Sequence, residues 1–186
     1  MRYLSDAWLV LMLSLVFGAA LAGIEMGLGD RIRENRLNES LSQIPTLVPG
    51  ATKGEQAKLE GVKQLFKALK DDGTHVGWVL QAQGDGYADT ITVLVGVDAK
   101  VETVTGIYVL EQKETPGLGN KIEREKWRSQ FCGKAVGEPL AATKTAPVGN
   151  QVKAVTGATI SSQSVCDIVN KGVTKLREAL RSSTTD

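Results

Sequence analysis

An uncharged apolar run near the N-terminus constrains this chain more than any other feature. Residues 7–24 (AWLVLMLSLVFGAALAGI) carry no ionisable side chain, and Ser14 supplies their only hydroxyl. Such a run is about long enough for a helix to cross the hydrocarbon core of a bilayer. It also exceeds the usual apolar region of a signal peptide, although Ala20-Leu21-Ala22 would suit cleavage. The sequence therefore predicts an uncleaved membrane anchor over residues 7–27, with a cleaved signal peptide as the alternative.

The remaining chain has room for one domain with its own core, because it contains 186 residues in all. We predict a short N-terminal segment at residues 1–6, a linker rich in proline and glycine at 28–54, and the domain at 55–186. The net charge of +1, with acids and bases intermixed, argues against nucleic-acid binding. Arginines follow the anchor, but long domains cross membranes largely regardless of charge. The charges alone therefore leave the orientation open.

The domain pattern is typical of an antiparallel sheet with flanking helices. Between Glu55 and Lys70 the apolar residues recur at helical spacing, which predicts a helix. Turn residues separate three strand-like segments, so consecutive hairpins are expected. These segments are 76–83, 90–97 and 101–110; residues 121–131 predict a short helix or irregular cover, 141–145 and 151–155 short strands, and 165–180 a long amphipathic helix. The predicted fold class is α+β: an antiparallel sheet with flanking helices, preceded by one N-terminal transmembrane helix.

A four-residue turn, Thr156-Gly157-Ala158-Thr159, lies between the last strand and the long helix. The N-terminus of a helix presents unpaired N–H groups and a positive dipole end, so it favours an anion such as a phosphate. Gly157 leaves space there, and Thr159 offers a hydroxyl that could bond to the phosphate. The same residue types also form ordinary turns, and Ser161 or Ser162 could cap the helix without any ligand. The turn alone leaves a phosphate site and a plain helix cap open.

A second segment, Glu114-Thr115-Pro116-Gly117-Leu118-Gly119, interrupts the strand pattern. Proline fixes one bend, and the two glycines allow the backbone to approach a planar ligand closely. Leu118 adds an apolar contact, while Glu114 by itself is typical of a solvated loop carboxylate. The segment could support an aromatic ring, although many turns share its composition.

The sequence predicts no catalytic residue and no metal ligand. His75 is the only histidine, which excludes a catalytic triad and a multi-histidine metal site within this chain. Cys132 and Cys166 lack the spacing of a metal-binding pair. They could form a disulfide in an oxidising compartment, or Cys166 could be a buried free thiol on the apolar stripe of the last helix.

Taken together, the two segments and the single span resemble the FMN-binding subunits of two ion-pumping bacterial complexes. One is the G subunit of the Rnf ferredoxin:NAD oxidoreductase, and the other is the related C subunit of the sodium-pumping NADH:quinone oxidoreductase. The resemblance covers the anchor and the domain from about residue 55. It implies a covalent FMN, joined by a phosphoester to Thr159, with the proline–glycine segment against the flavin. The expected cofactor-binding residues are Thr156, Gly157, Ala158, Thr159, Glu114, Thr115, Pro116, Gly117, Leu118 and Gly119.

The resemblance further implies an electron-transfer subunit in the bacterial inner membrane, with residues 1–6 as a cytoplasmic N-terminus and the domain on the periplasmic side. Its expected partners are membrane lipid, the other subunits of the complex, and a flavin transferase that moves FMN from FAD onto the threonine. The chain would be a relay and not a complete enzyme. The alternatives are a flavin-free assembly or binding subunit, and an FMN donor to another extracytoplasmic reductase. Two residues depart from the family pattern, in which acids usually stand at the positions of Lys153 and Asn120.

Overall fold

A computed structural model describes the backbone of residues 2–183. It also describes the surroundings of their side chains, except those of residues 2–6, 25, 26 and 30. Met1, part of the expected cytoplasmic N-terminus, lies outside the described residues, as do residues 184–186. The chain divides into two compact units, Met1–Glu39 and Ser40–Asp186.

Helix α1 spans Arg2–Leu47 and contains the apolar run. From Ala7 onward it is the one helix, among the described residues, that is long and apolar enough to cross a membrane. Its large apolar side chains between Trp8 and Ile24 are all more than half exposed. A helix with apolar side chains on every side must be covered by protein or lipid, because water would solvate them poorly. The prediction of an apolar N-terminal helix is confirmed.

The second unit is built on a six-stranded sheet whose strands follow one another in chain order. Every neighbouring pair is antiparallel, and the third to fifth strands match the predicted hairpins. The strands are β1 Lys53–Leu59, β2 Val62–Leu69, β3 His75–Asp85, β4 Thr90–Asp98, β5 Thr103–Glu111 and β6 Lys134–Ala135. The predicted α+β class with an antiparallel sheet is therefore confirmed.

Shorter elements and one long helix complete this unit. Two 3₁₀ helices, Gly119–Glu123 and Ser129–Phe131, flank helix α2, Glu125–Arg128. Strands β7, Ala141–Thr143, and β8, Gln151–Lys153, pair in parallel as a separate two-stranded sheet. Helix α3 spans Thr159–Ser183 and begins where β8 leads into the threonine-containing turn. The predicted long amphipathic helix is thus present, and it starts at Thr159.

The two faces of the large sheet are filled in different ways. Because side chains alternate along a strand, one row of cross-strand partners faces α3 and the next faces away. Leu65, Leu80, Val95 and Ile107 form a row on the α3 side, where they join the main apolar core. The adjacent row on the opposite side is Phe66, Val79, Gly96 and Gly106. Helix α3 covers the first face, with Gly172 packed against Ala82 and Leu80.

The helix predicted for residues 55–70 is wrong, since this stretch forms β1 and β2. Its apolar residues fit helical spacing, but they also line the faces of a hairpin. Gly61 lies in the connecting turn with φ +84°, a conformation that glycine adopts at little cost and that suits a tight hairpin loop. Leu59 pairs with Val62 across that turn. The overlooked signal was a glycine in the middle of the supposed helix, where it would be unfavourable.

The stretch expected as a linker, residues 28–54, also differs from the prediction. Helix α1 continues to Leu47, and residues 40–51 (hereafter the strap) cover the face of the sheet opposite α3. Ile44, Leu47 and Val48 in the strap are 0%, 3% and 1% exposed. A Cβ at Gly96 would stand 2.8 Å from the carbonyl oxygen of Leu47, so the glycine lets the strap lie directly on the sheet. The folded unit therefore begins at Ser40 and not near residue 55.

Candidate functional site

The two segments singled out in the sequence meet at one cleft at the start of helix α3. Its volume is about 820 Å³, within the range of about 300–1,000 Å³ that is usual for ligand sites. The cleft is lined by Tyr87, Thr115, Leu118, Gly119, Lys144, Lys153, Ala154, Val155, Thr156, Gly157, Ala158, Thr159, Ile160 and Ser161. Seven of the ten expected cofactor-binding residues are in this set, while Glu114, Pro116 and Gly117 are not.

The turn before α3 is held in place by its own backbone and by Ser162. Gly157 has φ +82°, which favours glycine, and the N–H of Ala158 donates to the carbonyl of Val155 at 2.9 Å. The Ser162 hydroxyl accepts from the N–H of Val155 at 3.0 Å and donates to the carbonyl of Ala158 at 2.8 Å. Ser162 thus stabilises the turn from inside the helix. It leaves Thr159, half-buried, as the first helical residue on the cleft.

The proline–glycine loop is closed by Asn120. Its side-chain oxygen accepts from the N–H of Gly117 at 2.9 Å, and its own N–H donates to the carbonyl of Thr115 at 3.3 Å. Gly117 has φ +77°, so a glycine is needed for this bend. A carboxylate at position 120 could accept the same bond. The departure at Asn120 therefore keeps the acceptor that closes the loop.

Leu118 brings the loop against the turn. A Cβ at Gly157 would come within 2.9 Å of Leu118 Cδ2, so the two segments approach most closely where Gly157 has no side chain. Leu118 is nevertheless 43% exposed and lines the cleft. The cleft therefore combines an apolar surface with the hydroxyl of Thr159.

Glu114 is buried behind the cleft, contrary to the simple expectation of a solvated loop carboxylate. It is 4% exposed and accepts hydrogen bonds from the N–H groups of Tyr87 at 2.8 Å and Ala88 at 3.1 Å. Its second oxygen accepts from the hydroxyl of Ser161 in the first turn of α3. A Cβ at Gly119 would stand 2.9 Å from this oxygen. Glu114 therefore connects the β3–β4 turn, the proline–glycine loop and helix α3.

Two lysines and a helix terminus make the cleft suitable for an anion. Lys144 and Lys153 both line it, next to the N-terminus of the 25-residue helix α3. The backbone of Lys153 is fixed, because its N–H donates to Gln130 Oε1 at 2.7 Å and its carbonyl accepts from Trp127 Nε1 at 2.9 Å. Positive charge thus stands where the family pattern has an acid. A ligand with a phosphate and a planar apolar ring, such as FMN, fits this set of groups.

Sequence reasoning overlooked several residues of the site. Tyr87 and Ile160 line the cleft and are 64% and 58% exposed, and Lys144, which directly follows β7, lines it as well. Ser161 was interpreted only as a possible cap, yet it is hydrogen-bonded to Glu114. Tyr87 directly follows the turn Gly84-Asp85-Gly86, a position that could have marked it as a loop-tip aromatic. The remaining contacts have no local signal, because they join segments far apart in the chain.

The cysteines and the histidine lie outside the cleft lining. Cys132 is exposed and Cys166 is buried, and both are free thiols, which excludes the disulfide alternative in this structure. Burial raises the pKa of the Cys166 thiol to about 12. His75 begins β3, and partial burial lowers its pKa.

Comparisons with known proteins agree with this geometry. The FMN-binding domain family matches residues 86–174, which span the β3–β4 turn, the proline–glycine loop and most of α3. The G subunit of an ion-translocating oxidoreductase complex from Methanosarcina acetivorans is 37% identical over 108 residues, covering 58% of this chain and 55% of that protein. The G subunit of a Na⁺-translocating ferredoxin:NAD⁺ oxidoreductase complex from Acetobacterium woodii is 37% identical over 107 residues, covering 56% and 51%. The chain therefore spans about half the length of these curated relatives.

A solved structure shares the fold. The C subunit of the Na⁺-translocating NADH-quinone reductase from Parabacteroides distasonis superposes with a TM-score of 0.55 and 25% identity, covering 63% of this chain and 62% of that one. The similarity to G subunits, with the C subunit as a more distant structural relative, confirms the resemblance seen in the sequence. Residues 86–174 of the chain thus match the FMN-binding domain family, and the chain is similar to the G subunits of ion-translocating oxidoreductase complexes over about half of their length.

Proposed function

We propose that this chain is a membrane-anchored electron-transfer subunit that carries FMN covalently, as a phosphoester on Thr159. The single observation that carries the proposal is the position of the Thr159 hydroxyl. It stands at the first residue of α3, on a cleft that also contains the proline–glycine loop. The G-subunit relatives support an electron-transfer role in a complex of the same kind.

The surrounding groups suit a phosphate attached at this position. The N-terminus of α3 and the side chains of Lys144 and Lys153 would offset its negative charge. When bound, FMN supplies the one-electron chemistry, and the protein contributes binding, orientation and electrostatics. Thr159 would hold the tail, Leu118 and Gly119 would border the ring, and Glu114 would keep the bordering segments in position.

Attachment requires one substitution at phosphorus, performed by a flavin transferase with FAD as donor. The Thr159 oxygen forms a bond to the phosphorus of the FMN half, the pyrophosphate bond breaks, and AMP leaves with the hydroxyl proton. Atoms and charge balance without an oxidant or reductant. Attachment by the tail would leave the ring free for redox chemistry and prevent the flavin from diffusing away.

The membrane arrangement is part of the proposal. We place residues 7–27 across the bacterial inner membrane and the flavin-bearing unit on the periplasmic side, where the transferase of the family acts. The exposed apolar side chains of α1 support the span. Protease added to intact spheroplasts should degrade the Ser40–Asp186 unit. Degradation only after the spheroplasts are lysed would reverse the proposed orientation.

The attachment site is tested by mass spectrometry of the full chain, co-produced with a flavin transferase. Thr159→Val should remove the flavin mass completely, because valine keeps the shape but lacks the oxygen. Thr159→Ser should retain attached flavin. In the wild type, trypsin should place the flavin on peptide 154–171, and fragmentation should assign it to Thr159.

Thr156 provides the matched control, since it is a threonine in the same turn and lines the same cleft. Thr156→Val should keep an attached flavin. If Thr159→Val still carries flavin, or if the fragments assign it to Thr156 or Ser161, the assignment to Thr159 is wrong.

The relay role is tested in the assembled complex by comparing Thr159→Ala with the wild type. We expect electron transfer between ferredoxin and NAD to be lost while the subunits remain associated. The isolated wild-type chain should be reducible chemically, yet show no turnover with NADH or ferredoxin alone. If the flavin-free complex turns over at the wild-type rate, the chain is not an electron relay in this complex.

A further inference from the structure

Exposed apolar side chains of the second unit are concentrated around the cleft. Among the described residues from Ser40 onward, four large apolar side chains are exposed: Tyr87 at 64%, Leu118 at 43%, Val148 at 76% and Ile160 at 58%. Three of them, all but Val148, line the cleft beside Thr159. An apolar surface gathered at one concave site marks a place where a ligand or partner is bound.

The three residues reach the cleft from three different elements. Tyr87 lies in the turn between β3 and β4, Leu118 lies in the proline–glycine loop, and Ile160 is the second residue of α3. Glu114 holds these elements together, because it accepts hydrogen bonds from the N–H of Tyr87 and from Ser161, the neighbour of Ile160. The side chains are exposed, but their backbones are fixed relative to one another. Such a rigid apolar border suits a flat ligand.

We infer that Tyr87 stacks on the isoalloxazine ring of FMN, with Leu118 and Ile160 packed against the ring from the other two elements. The inference rests on the proposed attachment at Thr159, which places the ring in the same cleft. Among the described residues, Tyr87 is the only one with an aromatic side chain that lines the cleft. Offset stacking would bury one face of the Tyr87 ring and one face of the isoalloxazine ring, and it would bring the phenol of Tyr87 into contact with the flavin.

Contact with a phenol has a spectroscopic signature that packing alone would not produce. On excitation, the phenol of tyrosine can give one electron to the flavin, and the electron returns on recombination, so emission is quenched with no net reaction. Phenylalanine keeps the stacking surface but is not oxidised in this way. Tyr87→Phe therefore separates electron donation by the phenol from apolar contact.

The experiment uses the full chain, flavinylated and purified in detergent, with the flavin on each variant counted by intact mass. We expect Tyr87→Phe to raise the emission yield and lifetime of the attached FMN several-fold. Tyr108→Phe is the matched control. Tyr108 lies on β5, where it is half-buried beneath the guanidinium of Arg128, and it is outside the cleft lining. It should leave the emission unchanged. Trp127 is the same in all variants and also lies outside the lining.

A second measurement tests stacking without the covalent bond. In the Thr159→Val background, Tyr87→Leu should weaken the binding of added FMN by about two- to tenfold, the usual contribution of one aromatic pair. Val148→Ala serves as the control for an exposed apolar residue elsewhere and should have no effect. Since Tyr87 is mostly exposed, these variants should melt like their parent proteins.

The outcomes separate this inference from the proposed function. If the wild type carries no flavin by mass, both fail. If it is loaded but Tyr87→Phe leaves the emission lifetime unchanged, only the stacking is overturned. If Tyr87→Leu leaves FMN binding unchanged but releases other subunits of the complex, the apolar border is a docking surface for a protein, and the stacking is again overturned.

Discussion

The two faces of the six-stranded sheet show how one domain separates stability from function. On the α3 face, large side chains such as Leu80 and Val95 fill the space under a helix. On the opposite face, Gly96 and Gly106 have no side chains, so the backbone of the strap lies directly against the sheet and leaves almost no space between them. The α3 face ends in the cleft, because the first turn of α3 carries Thr159. The strap face has none of the residues that line this cleft.

This difference implies that the two faces respond to different substitutions. Changes on the strap face should lower stability and leave the chemistry of the flavin site intact in the molecules that fold. Changes at the cleft should alter flavin attachment with little effect on stability. Glu114 is the expected exception, because it is both buried and connected to the cleft.

Removing the strap should produce the largest effect. A chain that begins at Thr52 keeps every strand but loses Ile44, Leu47 and Val48, which are almost fully buried. Burial of three such side chains contributes about 4–9 kcal/mol, comparable with the whole stability of a domain. We expect this chain to be largely unfolded or aggregated, whereas a chain that begins at Glu39 should melt cooperatively. Circular dichroism melting curves would test this. Similar melting temperatures for the two chains would show that the strap is dispensable.

A methyl group at Gly96 should have the next largest effect. Its Cβ would stand 2.8 Å from both Leu47 O and Thr105 Oγ1, and a backbone carbonyl cannot move away as a flexible side chain could. We expect Gly96→Ala to lower the free energy of unfolding by about 1–3 kcal/mol. Gly137→Ala is the control, because a Cβ there meets nothing within 4 Å. Urea denaturation would compare them, and equal midpoints would contradict the close approach of the strap.

Glu114→Gln tests whether the cleft can influence stability. Glutamine fills the same space but replaces a carboxylate that accepts three hydrogen bonds, so we expect a loss of about 1–2 kcal/mol in unfolding free energy. Flavin attachment should also become slower, since Tyr87 and Ser161 would lose a common acceptor. Glu60→Gln, in the exposed β1–β2 turn, should change neither quantity. A variant with slower attachment but unchanged stability would show that Glu114 acts only at the cleft.

The reactivity of the two cysteines should show the smallest effect, and it tests whether the core under α3 is closed to reagents. Cys132 is exposed, while burial raises the pKa of Cys166 to about 12. Because the thiolate is the reactive form, one thiol per native chain should react with Ellman's reagent at pH 8, and two after denaturation. The raised pKa keeps Cys166 protonated in the folded state, so its contribution to stability declines only as the pH rises above the ordinary thiol range. Rapid reaction of both thiols in the native protein would contradict a closed core.

The predicted elements succeeded where the signal was local. Strands β3 to β5 were recognised because turn residues lie between apolar strand-like segments, and α3 was recognised from its 3.6-residue period. The helix predicted for residues 55–70 was wrong because the apolar spacing of this stretch fits both a helix and a hairpin. Only pairing with β3, from Leu65 to Leu80 and from Phe66 to Val79, selects the hairpin. The prediction of a linker over the strap was wrong for a similar reason. Its proline and glycine content is typical of a linker, whereas its burial depends on glycines in distant strands.

The sequence by itself determined the apolar N-terminal helix, the antiparallel meander, and the two motifs that resemble the FMN-binding family. Each depends on residues that are neighbours in the chain, so periodicity, turn chemistry and motif spacing record it directly. Only the tertiary structure decided that Glu114 is buried, that Tyr87, Lys144 and Ile160 share the cleft with Thr159, and that the strap is part of the folded unit. These features depend on contacts between segments separated by tens of residues. Burial and proximity of that kind follow from packing the whole sheet against α3 and the strap, and no local pattern specifies them.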